Sequence, residues 1–340
     1  MKRIRIAGDG RARVEEVAIP EPADGEVLVK VMASGISGGE RAVFFGERPD
    51  AWAGRRVNGG HEAAGEIVDA NATDLAVGDR VALYGGYRRC GRCRHCLSGR
   101  WLYCADDPRP PQAAGYHSQY VTVRADFCLP LPDGVSFAAG AMIGAPFGAV
   151  LRAFRRARLG PRERVFVVGA GPLGLAAITL ARWFGCEVIA SDPVAWRRAF
   201  ALDSGAAIAI DPFAGDVGTS IRSMIGSEGV DLALDCSGTE LGRAACLDAI
   251  ARGGRIAYIG AGAGLELSPE QAGQIITKEA AVFGVWYADP AEMLTLADQV
   301  AAGFDPTRIL SHRFPIEAAD AAFERAFGGE AGKVLIEPWR

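Results

Sequence analysis

A chain of 340 residues exceeds one ordinary domain, so two hydrophobic cores are the default expectation. With 49% hydrophobic and 23% charged residues it has the balance of a globular protein, and its 44 glycines imply many tight turns. A net charge of −4 gives neither nucleic acid nor an anionic membrane an electrostatic footing, and the 33 arginines against 4 lysines are scattered among acids as coding bias scatters them.

The N-terminus, Met1-Lys2-Arg3-Ile4-Arg5-Ile6, has no long apolar segment and no cleavage-type pattern, and no run reaches membrane-spanning length. A cytoplasmic protein is expected, in which 8 cysteines serve metal or packing rather than disulfides. The first part of the chain reads as short strands, Val27–Val31, Gly65–Val68, Arg80–Tyr84 and Tyr120–Val123 among them. Turn signals such as Pro20-Glu21-Pro22 and Pro132-Asp133-Gly134 separate them. Within this β-rich stretch lie Gly35-Ile36-Ser37-Gly38-Gly39-Glu40 and Gly60-His61-Glu62, where small residues, a serine and a His-Glu pair suggest a site of chemistry.

Further along, Cys90, Cys93, Cys96 and Cys104 fall within one short loop, expected as a lobe over 86–106. Two x2 gaps followed by a gap of seven suit a closed tetrahedral zinc site that folds the loop, and the long last gap argues against an iron–sulfur run. His95 reads as a bystander, and Cys128, Cys186, Cys236 and Cys246 as isolated packing thiols.

From about Phe137 the texture changes to two helical segments and then Arg164–Val168, a strand apolar enough to be buried on both faces. Strands at Glu187–Ser191, Ala206–Ile210, Asp231–Cys236, Arg255–Gly260 and Ala281–Val285 alternate with helices, the rhythm of a doubly wound parallel sheet. Between the first strand and the helical run Leu175–Phe184 stands Gly169-Ala170-Gly171-Pro172-Leu173-Gly174. In that context the glycines admit a pyrophosphate to the helix N-terminus. Asp192 at the end of the second strand can accept both ribose hydroxyls and would repel a 2′-phosphate, favouring NAD(H) over NADP(H). Arg197 and Arg198, close behind it, keep NADP(H) in consideration. The chain ends in Gly332-Lys333-Val334-Leu335-Ile336-Glu337, a strand able to rejoin the N-terminal unit. The expected division is 1–140 (β-rich catalytic domain), 141–290 (Rossmann domain) and 291–340 (a returning segment).

These features together resemble the zinc-containing medium-chain dehydrogenase/reductase superfamily over essentially the whole chain. The motifs that carry the likeness are Gly60-His61-Glu62-Ala63-Ala64-Gly65-Glu66, Val77-Gly78-Asp79-Arg80-Val81, the four-cysteine lobe, Gly169–Gly174 and Gly332-Lys333-Val334. The resemblance implies an α/β protein with a GroES-like catalytic domain and a Rossmann domain, acting as a homodimer or homotetramer on a small molecule. It also implies a catalytic zinc held by a cysteine, the histidine of Gly-His-Glu and a third cysteine or glutamate. Here the first position is Ser37, the second His61, and the third falls at or beside Ala145, before Pro146; the relay hydroxyl is replaced by Gly39 and the usual aspartate by Glu40. Serine is a poor zinc ligand and alanine none, so one structural zinc per chain is expected and no catalytic one.

Without a Lewis acid, proton management falls to side chains, and Ser37, His61 and Glu62 stand where the metal would sit. Each also has a bland alternative as space-filler, core histidine or ion-pair partner. Phe44, Phe45, Trp52, His117, Trp286 and Tyr287 are candidates to line a pocket. The pattern favours an NAD(H)-dependent oxidoreductase acting on a secondary alcohol or carbonyl. Three alternatives stay open: reduction of a polarised C=C bond, redox-neutral epimerisation with tightly held NAD, and a non-catalytic dinucleotide-binding member.

Overall fold

The alternation in Val27-Leu28-Val29-Lys30-Val31 becomes a strand whose every second side chain is interior: Val27, Val29 and Val31 have no exposed surface. A computed structural model describes residues 1–47, 57–86, 89–105, 115–226, 228–262, 264 and 266–340. Trp52 lies outside the described residues. The chain divides into two units, Met1–Gly148 with Tyr287–Arg340, and Ala149–Trp286.

The first unit carries β1 (Lys2–Ile6), β2 (Ala12–Glu16), β3 (Glu26–Gly35), β4 (Val57–Asn58), β5 (Ala63–Asp69), β6 (Arg80–Leu83), β7 (Tyr120–Arg124) and β8 (Cys128–Pro130). β2, β1 and β4 make a small antiparallel sheet. β3 lies in a larger one, flanked by β5 and β7. Its core includes Ile4, Ile6, Ile36, Phe44, Phe323, Val334 and Ile336. Phe44 is therefore a packing residue and not a pocket wall; its ring stacks on Phe323 at 5.5 Å.

The second unit holds β9 (Arg164–Val168), β10 (Glu187–Ser191), β11 (Ile208–Ile210), β12 (Val230–Asp235), β13 (Ile250–Tyr258) and β14 (Ala281–Gly284). They form one parallel sheet in the order β11-β10-β9-β12-β13-β14. Val165, Phe166 and Val167 are wholly buried, as a central strand covered on both faces requires. β13 begins five residues before the expected Arg255, because Ile250 already pairs with Val230 across an irregularity ahead of Leu232. The chain reverses direction across the sheet between β9 and β12, the switch point at which doubly wound folds bind ligands.

Back in the first unit, β15 (Leu310–Phe314) runs parallel to β16 (Lys333–Ile336), and β16 joins β3 antiparallel. The closing strand thus rejoins the N-terminal unit as its sequence suggests. Among the described residues no helix is long and apolar enough to cross a membrane.

Candidate active site

β3 stops at Gly35, and two residues on Ser37 caps the short helical turn Gly38–Glu40. The Ser37 hydroxyl oxygen accepts from the Gly39 amide at 3.1 Å, and the Glu40 carboxylate accepts from the Ser37 amide at 2.8 Å, a reciprocal capping box. The other oxygen of the same carboxylate accepts from the Gly60 amide at 2.7 Å. One buried side chain therefore ties the segment of Ser37 to the residue before His61. Behind it stands His117, with Nε2 3.2 Å from Glu40 and Nδ1 2.7 Å from the Ser34 hydroxyl; all three side chains are buried. Burial pushes the Glu40 carboxyl up, but the charge and hydrogen bond of His117, the charge of His61 and the Ser37 amide outweigh it and hold it down at about 2.

His61 is half-buried, and neither of its ring nitrogens makes a hydrogen bond among the described residues. Its backbone carbonyl accepts from the Tyr287 hydroxyl at 3.2 Å. Glu62 is buried and forms an ion pair with Lys333, whose ammonium also donates to the Ile36 carbonyl at 2.8 Å. Ala145, immediately before the helix Pro146–Ala157, offers no donor atom. The fold thus brings the Ser37 and His61 segments together through Glu40 and commits Glu62 to a cation. His117 and Tyr287, expected at a pocket wall, lie beneath the surface as supports, while the Trp286 side chain is 58% exposed.

In the lobe, Cys93 caps the turn Arg94–Leu97 by accepting from the Cys96 amide. The sulfurs of Cys90, Cys93, Cys96 and Cys104 lie within 4.8 Å of one another, the one such group of three or more ligating side chains among the described residues. Cys90 Sγ stands 3.9 Å from Cys96 Sγ. A tetrahedron with metal–sulfur bonds of about 2.3 Å has edges of about 3.8 Å, so the quartet fits zinc. Backbone amides of Arg92 and Cys93 pull the Cys90 thiol down to about 6, and the Cys96 amide likewise lowers Cys93, favouring the thiolates a metal needs. Asp289 fastens the lobe by accepting from the Leu102 amide at 2.9 Å. A zinc here would supply folding free energy, with no open position for substrate.

In the second unit Gly169 has φ +89°, and the helix Pro172–Trp183 begins with Gly171 as its cap and no side chain blocking its first amides. A Cβ on Gly174 would lie 1.7 Å from the Gly169 carbonyl oxygen, so only glycine lets helix and turn meet. A Cβ on Gly171 would meet nothing, leaving room for a pyrophosphate to approach the backbone. Leu173 follows Pro172 in the first turn of that helix. Asp192 accepts from the Ala170 amide at 2.8 Å and from the Val194 amide at 2.9 Å, tying the second strand to the glycine turn, with Arg197 Nη1 3.8 Å away. Arg198 is spent on the carbonyls of Asp192 and Pro193 and on Asp211 at 3.0 Å.

Nothing in the sequence around Ser34 marks it as a partner of His117. Lys333 was visible, however, as one of 4 lysines set inside an apolar closing strand.

Residues 23–133 match the family model described as alcohol dehydrogenase GroES-like domain, and residues 172–302 match the zinc-binding dehydrogenase model. Sorbitol dehydrogenase of Bacillus subtilis is 31% identical, covering 100% of this chain and 98% of its own. Galactitol-1-phosphate dehydrogenase of Escherichia coli superposes with a TM-score of 0.89 at 26% identity, over 99% of this chain and 100% of its own. A zinc-binding dehydrogenase of Sinorhizobium meliloti, solved with NADP bound, gives a TM-score of 0.85 at 29% identity, over 99% of both chains.

Proposed function

Because the chain belongs to the zinc-containing medium-chain dehydrogenase/reductase superfamily, an enzyme family of alcohol-type, NAD(P)-dependent oxidoreductases, we propose that it interconverts a secondary alcohol and a carbonyl of a small polyol-like molecule with NAD(H) and without a catalytic metal. One observation carries the metal-free part: with Ser37 used as a helix cap and no donor at Ala145, no group of three ligating side chains among the described residues includes His61. Polyol chemistry is supported by the sorbitol and galactitol-1-phosphate dehydrogenases this chain resembles.

NAD(H), when bound, supplies the hydride acceptor or donor. The residues must then handle one proton. In the oxidation direction, an imidazole nitrogen of His61 takes the proton from the substrate hydroxyl as hydride leaves the carbinol carbon; in reduction it returns that proton. The Ser37 oxygen already accepts from Gly39, so its own proton is free to be donated to the substrate oxygen. Glu62, paired with Lys333, holds the strand end rather than exchanging protons. NAD(H) is favoured because Asp192 faces the glycine turn while Arg198, a candidate for a 2′-phosphate, is already engaged.

A reducing cytoplasm suits a lobe that needs free thiols. Self-association is supported by β14, an edge strand that exposes Ala281, Val282 and Gly284; light scattering of the purified chain tests it.

The deciding experiment measures metal content and turnover on one preparation. One zinc per chain with NAD⁺-dependent oxidation of a polyol panel is the expected result. Two zinc ions per active chain would refute the metal-free mechanism.

A further inference from the structure

A histidine that moves protons is ordinarily oriented through a hydrogen bond at its second ring nitrogen or through a metal. Among the described residues neither ring nitrogen of His61 makes a hydrogen bond, and the contacts shown for it fall on its backbone and on the face of its ring. Its backbone is held on both sides: Glu40 binds the Gly60 amide, and the Tyr287 hydroxyl donates to the His61 carbonyl.

Tyr287 is unusual for a residue at the end of a domain segment. It has φ +51°, a left-handed conformation that a bulky residue rarely adopts, and its side chain is buried. Its hydroxyl is used twice, donating to His61 at 3.2 Å and accepting from the Gly85 amide at 2.9 Å. Space has been cleared around that oxygen. A Cβ on Gly85 would come within 2.7 Å of it, and a Cβ on Gly144 within 3.0 Å. Gly144 directly precedes Ala145, the position of the lost third ligand. The phenol therefore lies against both segments that a metal would otherwise bridge, that of His61 and that of Ala145. Its ring also stands 6.1 Å from the His61 imidazole and 5.7 Å from Tyr84, which backs it. Burial keeps its hydroxyl protonated by pushing it well above the usual tyrosine range, so it is a permanent donor to the carbonyl rather than an acid in turnover.

We propose that Tyr287 is the positioning residue of His61, the internal brace that takes over the orienting role of the absent metal ligands. The proposal rests on His61 being the proton-exchanging group. Removing only the hydroxyl leaves the His61 carbonyl and the Gly85 amide unpaired and lets the imidazole sample other orientations.

The test uses the full chain with ¹⁵N-labelled histidine, which gives four imidazoles to follow: His61, His95, His117 and His312. In Y287F the imidazole resonances of His61 should shift or broaden while those of the other three stay in place, since only His61 loses a contact. Turnover of the active polyol should fall about tenfold in kcat with KM moved less than about threefold. Added to H61A, Y287F should cost nothing further. If Y287F melts early, G144A crowds the same oxygen with one methyl and should shift His61 in the same way. Unmoved His61 imidazole resonances in both folded variants, or full kcat in Y287F while H61A is inactive, would overturn the brace and leave the role of His61 standing. H61A turning over at the wild-type rate removes that role and, with it, the proposal.

Discussion

The ammonium of Lys333 and the carboxylate of Glu62 meet with side-chain exposures of 1% and 2%, one at the closing strand and the other beside the candidate base His61. A buried pair of this kind is costly to break from one side, because the survivor is left charged in a dry interior. K333M should therefore destabilise the chain by about 3–5 kcal/mol, whereas K333M/E62L, which removes both charges, should lie closer to wild type. Denaturant midpoints at pH 7 check the order; a K333M as stable as the wild-type chain refutes it.

Glu40 sets an acid limit. Its carboxyl has an ordinary value of 4.5 and is held at about 2 in the fold, so the folded state binds the proton less readily than the unfolded one. The stability this contributes, on the order of 3 kcal/mol, is present above about pH 4.5 and is lost as pH falls from there towards 2. E40Q should be less stable at neutral pH and should show a flatter dependence across that window. Thermal melts from pH 2 to 7 give the comparison, and parallel curves for the two proteins would contradict it.

The proposed preference for NAD(H) rests on Asp192. NADH should quench or enhance protein fluorescence at lower concentration than NADPH does. D192A should weaken NADH about tenfold, both by losing the ribose acceptor and by freeing the Ala170 amide of the glycine turn. Tighter NADPH binding to the native chain would reverse the assignment.

The proposed zinc is the lobe's. C96S should lose the ion and lower Tm by about 5 °C or more, since the loop around Cys104 then lacks its main tie. Conversely S37C/A145C should raise the metal count from one to two per chain by plasma mass spectrometry. An unchanged count in the double variant would mean that the Ala145 position does not face His61.

Much of the fold was legible because its signals are local. Alternating apolar residues marked β3, the run at Val165–Val168 marked the central strand of the second unit, and the glycines between strand and helix marked the turn whose close packing excludes a Cβ at Gly174. The cysteine spacing likewise prescribed a quartet whose sulfurs converge. Less of the candidate site could be read. Phe44 and Phe45 looked like equivalent aromatics, yet Phe44 is 1% exposed in the core and Phe45 is 44% exposed, a distinction made by Phe323 far along the chain.

Short segments already carry the glycine turn, the cysteine quartet and the want of metal-binding side chains at Ser37 and Ala145, since each is a statement about which atoms a few neighbouring residues possess. Tertiary structure alone decided which groups support His61: Glu40 from the preceding turn, His117 and Ser34 beneath it, Lys333 behind Glu62, and Tyr287 on its carbonyl. Those partners lie up to 272 positions from His61, as Lys333 does (333 − 61), and no periodicity encodes such pairings. Only burial and the need to satisfy each buried polar atom bring them together.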